Sequence, residues 1–194
     1  MNIIRLIQVS LILTFLVILM GAYTRLADAG LGCPDWPGCY GHLSVPSTDK
    51  ALSTAKLLYP ENEVEPYKAW LEMIHRYLAG TLGLVVFAIS YLTLQSRHGG
   101  RVIPVSLSLL IVFQAALGMW TVTLKLMPVI VMLHLMGGFT LFSLLFLLYC
   151  RLKQEVGYEL NDVAHFTVSD GNPSSITSPH EPIVVNTPML KLLA

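Results

Sequence analysis

Apolar residues fall in four long blocks, at about residues 3–23, 70–94, 102–124 and 128–150, and charged or turn-forming residues gather between them. Each block is long enough to cross the hydrocarbon core of a bilayer. In lipid, only a helix bonds every backbone amide within its own segment. The pattern predicts an all-α integral membrane protein, a bundle of four transmembrane helices, within a domain over 1–153. Residues 24–69 form a long polar connection punctuated by Gly30, Gly32, Pro34, Pro37, Gly38, Pro46 and Pro60. Inside it, recurring Ala and Leu over 48–58 predict a short helix capped by Thr48 or Ser47. Arg97-His98-Gly99-Gly100 makes a tight turn between spans 2 and 3. Lys125-Leu126-Met127-Pro128 joins spans 3 and 4, with Pro128 suited to a helix start. From Gln154 the chain becomes a tail, rich in Ser, Thr, Asn and Pro over 161–188 and expected to be disordered. It ends in an apolar stretch, Met189 to Ala194, like the start of another helix.

Composition supports the membrane assignment: 54% of residues are hydrophobic and 12% charged, with a mean hydropathy of +0.64. Ala27-Asp28-Ala29 resembles a signal-peptide cleavage site. The apolar run before it exceeds the usual 7–15 residues of such signals, and Arg25 intervenes, so the first block reads as a retained span. Formal net charge is zero, and no basic field points to nucleic acid. Arg97, Arg101, Arg151 and Lys153 mark the cytoplasmic side by the positive-inside rule. That places both termini in the cytoplasm, the 24–69 connection outside, and the chain in a bacterial inner membrane.

A weak internal repeat relates the spans. Gly21-Ala22-Tyr23-Thr24 and Gly118-Met119-Trp120-Thr121 both read Gly-x-aromatic-Thr. Each precedes a span with Met-[Ile/Leu]-His near its outer end, at His75 and His134. Hairpin 1–2 thus matches hairpin 3–4. An imidazole inside a span is expensive and usually has a partner or a task. Glu72, His75, Ala79 and Gly83 share a helix face, and His134 is followed by Gly137 and Gly138. Gln114, Gly118 and Thr121 make a similar small, polar face on span 3. Two histidines beside small residues suit the axial ligands of a haem held between helices. The bland alternative is that small residues let helices pack while the histidines hydrogen-bond across the interface. Zinc or copper is disfavoured because no third ligand lies at a suitable spacing. His42, His98, His165 and His180 fall in loops or tail, where solvation is the default.

Glu72 and Arg76 are spaced as a helix ion pair. Arg76 could instead grip a haem propionate, with Glu72 moving protons beside the ring. Arg25 is a second propionate candidate. Cys33 and Cys39 form a close pair in the outer connection, where a disulfide is the common outcome, either as a staple or as a redox relay. No C-x-x-C-H is present for covalent haem attachment. Cys150 reads as a thiol without a role.

These residues together resemble the heme A synthase (CtaA) family. The likeness rests on Gly21-Ala22-Tyr23-Thr24-Arg25-Leu26 running into Gly30-Leu31 and Trp36, on Glu72-Met73-Ile74-His75-Arg76, on Gln114 through Thr121, and on His134-Leu135. It implies oxidation of a ring methyl of heme O to a formyl group, giving the heme A of cytochrome oxidase. It also implies two four-helix halves, one holding a heme b cofactor and the other the substrate. His75 and His134 match the pair of the N-terminal, substrate-side half, Glu72 matches a carboxylate implicated in the chemistry, and the cysteines match a subgroup with a disulfide here. Only one half is present. The expectation is a truncated or split chain, or a half that dimerises or meets a complementary C-terminal half, with contact to heme O synthase as a further partnership. The rival functions are a non-enzymatic membrane haem carrier or assembly factor, and a quinone-linked thiol–disulfide oxidoreductase built on Cys33 and Cys39.

Overall fold

A computed structural model of the chain describes residues 3–96 and 100–169, with side chains through residue 155. It contains five helices among the described residues: α1 (Ile3–Leu26), α2 (Asp49–Leu58), α3 (Pro66–Gln95), α4 (Val102–Thr123) and α5 (Pro128–Ser169). All but α2 are long and apolar enough to cross a membrane, so the molecule is a four-helix membrane bundle with a short extra helix in the connection over 27–65.

Helix boundaries follow local chemistry. Thr48 caps α2, its Oγ1 accepting from the Ala51 amide at 3.3 Å, as its position in the sequence suggests. α3 starts at Pro66, four residues before the expected span, because proline at the first helical position loses no needed donor. α1 and α4 end alike. The Ala29 amide bonds the Thr24 carbonyl and the Asp28 amide bonds that of Arg25. The Leu126 amide bonds Thr121 and the Lys125 amide bonds Val122. Both are Schellman closures, with Asp28 and Lys125 taking the left-handed turn position that glycine more often fills. The repeated threonine is therefore the third residue from each helix end. Its hydroxyl also turns back onto its own helix, Thr24 to the Met20 carbonyl and Thr121 to that of Gly118.

α5 is helical to Ser169, past the end expected for the fourth span and into the segment read as a tail. Arg97, His98 and the stretch from 170 onward, including His180, lie outside the described residues.

The apolar core occupies one half of the bundle. Ile7, Leu82, Val86, Leu107, Leu145 and Leu148 interlock there, fully or almost fully buried. A second, smaller core lies in the connection between α1 and α3, where Cys33, Cys39, Tyr40, Val45 and Ala55 pack onto Ala69 and Met73 at the start of α3. The Tyr40 and Tyr59 rings meet edge to face at 5.8 Å. Tyr40 donates to the Glu63 carbonyl; burial, with Glu65 and Asp35 nearby, pushes its phenol up and keeps it a neutral donor. This connection is an ordered cap. It leaves the adjoining end of the bundle, between cap and core, for small and polar side chains.

Candidate functional site

The capped end of the bundle brings His75 and His134 together, their ring centroids 6.5 Å apart and their planes at 85°. The helix preceding each histidine makes room for it. A Cβ added to Gly21 on α1 would lie 2.9 Å from His75 Cε1, and one on Gly118 of α4 would lie 3.5 Å from His134 Cε1. One turn earlier on each of these helices, the backbone carbonyls of Val17 and Gln114 reach the same two rings. Gly21 and Gly118, with Val17 and Gln114 four residues before them, are corresponding positions of the repeat. The repeat is thus a device for seating an imidazole: a carbonyl below it, a glycine behind it, and a threonine closing the helix above.

The sequence placed the small residues differently. Gly80 has nothing near it, Gly83 only Ile111 and Gly138 only Ile18, while Gly137 faces Gln114. The glycines against the rings come from the neighbouring helices instead. Spacing along one helix cannot reveal that, although the repeated Gly-x-aromatic-Thr carried the signal.

Each ring keeps a buried Nδ1 without a hydrogen-bond partner. Among the described residues, no cluster of three or more His, Cys, Asp or Glu could hold a metal ion. A bare ion would find too few ligands, whereas a macrocycle brings four of its own. A metal–imidazole bond of about 2 Å, plus about 1 Å from nitrogen to ring centre on each side, gives centroids roughly 6 Å apart. The observed separation fits two imidazoles sharing one iron.

Glu72 and Arg76 flank His75 on α3 and face the cap. Glu72 Oε1 accepts from Arg76 Nη2 at 2.5 Å and Oε2 accepts from the Cys33 amide at 2.9 Å. Arg76 Nη1 donates to the Gly38 and Pro37 carbonyls. Cys33 and Cys39 form a disulfide, so this ion pair holds the disulfide loop at both ends. Both terminal nitrogens of Arg76 are engaged with the protein. Arg25 is exposed at the end of α1, and its side chain has no hydrogen bond or ion pair among the described residues.

The arrangement agrees with what the chain is similar to. The COX15-CtaA family, described as Cytochrome oxidase assembly protein, matches residues 4–171. The chain belongs to this family. It is 62% identical over 148 residues to the heme A synthase of Shewanella oneidensis, covering 76% of this chain and 45% of that protein. It is 30% identical over 144 residues to that of Lysinibacillus sphaericus, covering 73% and 40%. A shorter stretch of 88 residues is 35% identical to a protoheme IX farnesyltransferase of Haloarcula marismortui, 45% of this chain and 15% of that one. The chain therefore spans less than half the length of the two heme A synthases. No solved structure matches.

Family membership frames the remaining residues. Cys150 is half-buried, a free thiol at the end of the bundle away from the rings. Asp35 was not singled out from sequence, yet its carboxylate accepts from the Tyr40 and Gly41 amides and shapes the disulfide loop. An Asp opening a Pro- and Gly-rich turn is a recognisable signal for that task. Tyr23 and Tyr67 join hydroxyls at 2.9 Å across α1 and α3, and Tyr77 donates to Leu43. The first contact ties α1 to α3, and the second ties the cap to α3.

Proposed function

We propose that this chain forms the substrate-side half of a heme A synthase, holding heme O between α3 and α5 while a ring methyl is oxidised to a formyl group. The observation that carries the reading is the His75–His134 pair, set at the separation two axial ligands need by a repeated glycine-and-carbonyl seat. The similar heme A synthases support heme A as the product. The bound haem supplies the iron and the methyl group that is oxidised.

The chain's own residues do the rest. His75 and His134 would hold the haem between the helices through their ring nitrogens. Glu72, its carboxylate held still by Arg76 through Oε1, would hold or move a proton at Oε2 beside the bound ring. Arg25 is the freer cation for a propionate; Arg76 can contribute only what its contacts with Glu72 and the cap leave over. The Cys33–Cys39 disulfide acts as a staple for the cap. Both termini lie in the cytoplasm of a bacterial cell, with the site near the outer surface of its inner membrane. A heme b cofactor belongs to a complementary half or a second copy of the chain. The likeness to a protoheme IX farnesyltransferase supports a partnership with the enzyme that delivers farnesylated haem.

Purification of the full chain from a haem-replete host, followed by haem extraction and absorption spectroscopy, tests this. One haem per chain with a low-spin, six-coordinate spectrum is expected, lost in His75→Ala and in His134→Ala. Retention of that spectrum in both variants would remove the histidines as ligands. Glu72→Gln should keep the haem while blocking formyl formation when the chain is supplied with its complementary half.

A further inference from the structure

Gln114 is a buried polar residue whose side chain the reading above leaves unused. It is 7% exposed, and its amide Nε2 has no hydrogen-bond partner. Such a group is costly to leave unpaired in a dry setting. The amide is aimed at α5: a Cβ on Gly137 would overlap Nε2 and lie 2.9 Å from the amide carbon. Gly137 follows His134 by three residues, and Gln114 precedes Gly118 by four. Both spacings set the amide about one helical turn from the His134 ring, on the side of the apolar core.

That position defines what it can bind. The charged groups of the site, Glu72, Arg76 and Arg25, all lie toward the cap. On the core side the packed side chains are Leu, Ile and Val, and the buried polar ones, such as Ser10, Thr14 and Ser90, are uncharged. A carboxylate there would be buried without a cation, whereas a neutral oxygen needs only a donor. The corresponding residue of the other hairpin is Val17, so one side of the site offers an amide and the other hydrocarbon.

We propose that Gln114 donates through Nε2 to a neutral oxygen substituent, a hydroxyl or a carbonyl, on the inward edge of the bound haem. It thereby selects haems that carry such a group over haems whose inward edge is hydrocarbon alone. This rests on the haem reading above. A site built to pair with a substrate oxygen rejects an analogue lacking it, because its own polar group is then stranded.

The test titrates the full chain in lipid nanodiscs with ferric protohaem, heme O and heme A, for the wild type, Gln114→Leu and Gln114→Met. In both variants the affinity for the oxygen-bearing haems should fall about tenfold, with protohaem binding within about twofold of wild type as the control for an intact fold. A loss with heme O and heme A together assigns the acceptor as the hydroxyl they share. A loss confined to heme A, with its formyl stretch in resonance Raman spectra shifting up on substitution, assigns the carbonyl. An equal loss for all three haems, or no loss, overturns the proposal and leaves the haem reading standing. If the wild type binds no haem at all, the haem reading fails and this inference falls with it.

Discussion

In the hairpin of α1 and α3, Gly21 backs onto His75 and Thr24 closes the helix; in that of α4 and α5, Gly118 and Thr121 do the same for His134. The two differ in everything else that could do chemistry. Glu72 and Arg76 have Val131 and Leu135 as their counterparts, at the same offsets from the second histidine. Gln114 has Val17. The first hairpin carries an ordered cap with a disulfide, while the second closes through a few residues at Lys125 to Pro128. The shared parts are those that seat an imidazole in a membrane, where backbone carbonyls and close helix approach are the cheap means available. The unshared parts place charge above one ring and a lone amide below the other. A planar ligand between them would meet two unlike sides, and the duplicated frame therefore yields an oriented site.

The largest break in this comparison should come from Glu72→Ala. It strands the Arg76 guanidinium and the Cys33 amide, both bonded to a carboxylate whose side chain is only 6% exposed. Breaking a buried pair from one side costs about 3 kcal/mol. Val131→Ala at the equivalent position of the second hairpin should cost less than about 1 kcal/mol, since Val131 is only half-buried. Chemical denaturation in detergent measures both. Equal losses would mean that the clamp on the cap contributes nothing to stability. The double variant Glu72→Leu with Arg76→Leu should recover part of the single variant's loss, because it removes the stranded charge.

Next comes the disulfide. Replacing Cys33 and Cys39 with Ser frees a short loop, and chain entropy alone makes that worth about 2 kcal/mol. The effect should stay in the first hairpin. Hydrogen exchange should speed up across the cap around Tyr40 and Val45, whose core includes both cysteines, and remain unchanged across α4 and α5. Faster exchange in the second hairpin would show that the two are coupled through more than the rings.

How much of this was legible beforehand follows from the kind of information involved. The four spans were plain because lipid imposes one backbone solution on any long apolar run. The Thr48 cap, the Pro128 start and the two histidines were likewise local signals, whereas the earlier start of α3 at Pro66 was not read. The seat of each histidine was not, because its parts come from two helices. Reading down α3 pointed to Ala79 and Gly83, and reading down α5 to Gly137, yet the glycines that touch the rings sit on α1 and α4. The pairing of Arg76 with Glu72 was legible as a helix spacing, but the cap carbonyls that its other terminal nitrogen bonds were not. Helix periodicity says which residues share a face, but the partner of that face is a tertiary fact. The internal repeat was the one sequence feature with tertiary content, since two hairpins preserving Gly and Thr at matched offsets share a packing constraint.

The subtlest prediction concerns the repeat itself, at the two glycines. They look equivalent in sequence, but their clearances differ: 2.9 Å from His75 for a Cβ at 21, against 3.5 Å from His134 for one at 118. The first is closer than real Cβ contacts allow, so Gly21→Ala must push the His75 ring or the α1 backbone aside. The second is an ordinary van der Waals contact and can be absorbed. A shifted imidazole changes the separation and angle between the two rings. Gly21→Ala should therefore weaken haem binding about tenfold and raise the high-spin fraction in the absorption spectrum, while Gly118→Ala stays within about twofold of wild type. Global stability should change little in either, because the apolar core around Leu107 and Leu145 lies at the other end of the bundle. Equal losses from the two substitutions would mean that the hairpins hold their histidines with equal tightness, and that the asymmetry of the site is confined to Glu72, Arg76 and Gln114. A loss only at Gly118 would reverse the assignment of the tighter seat, making His134 the fixed ligand and His75 the one that gives way.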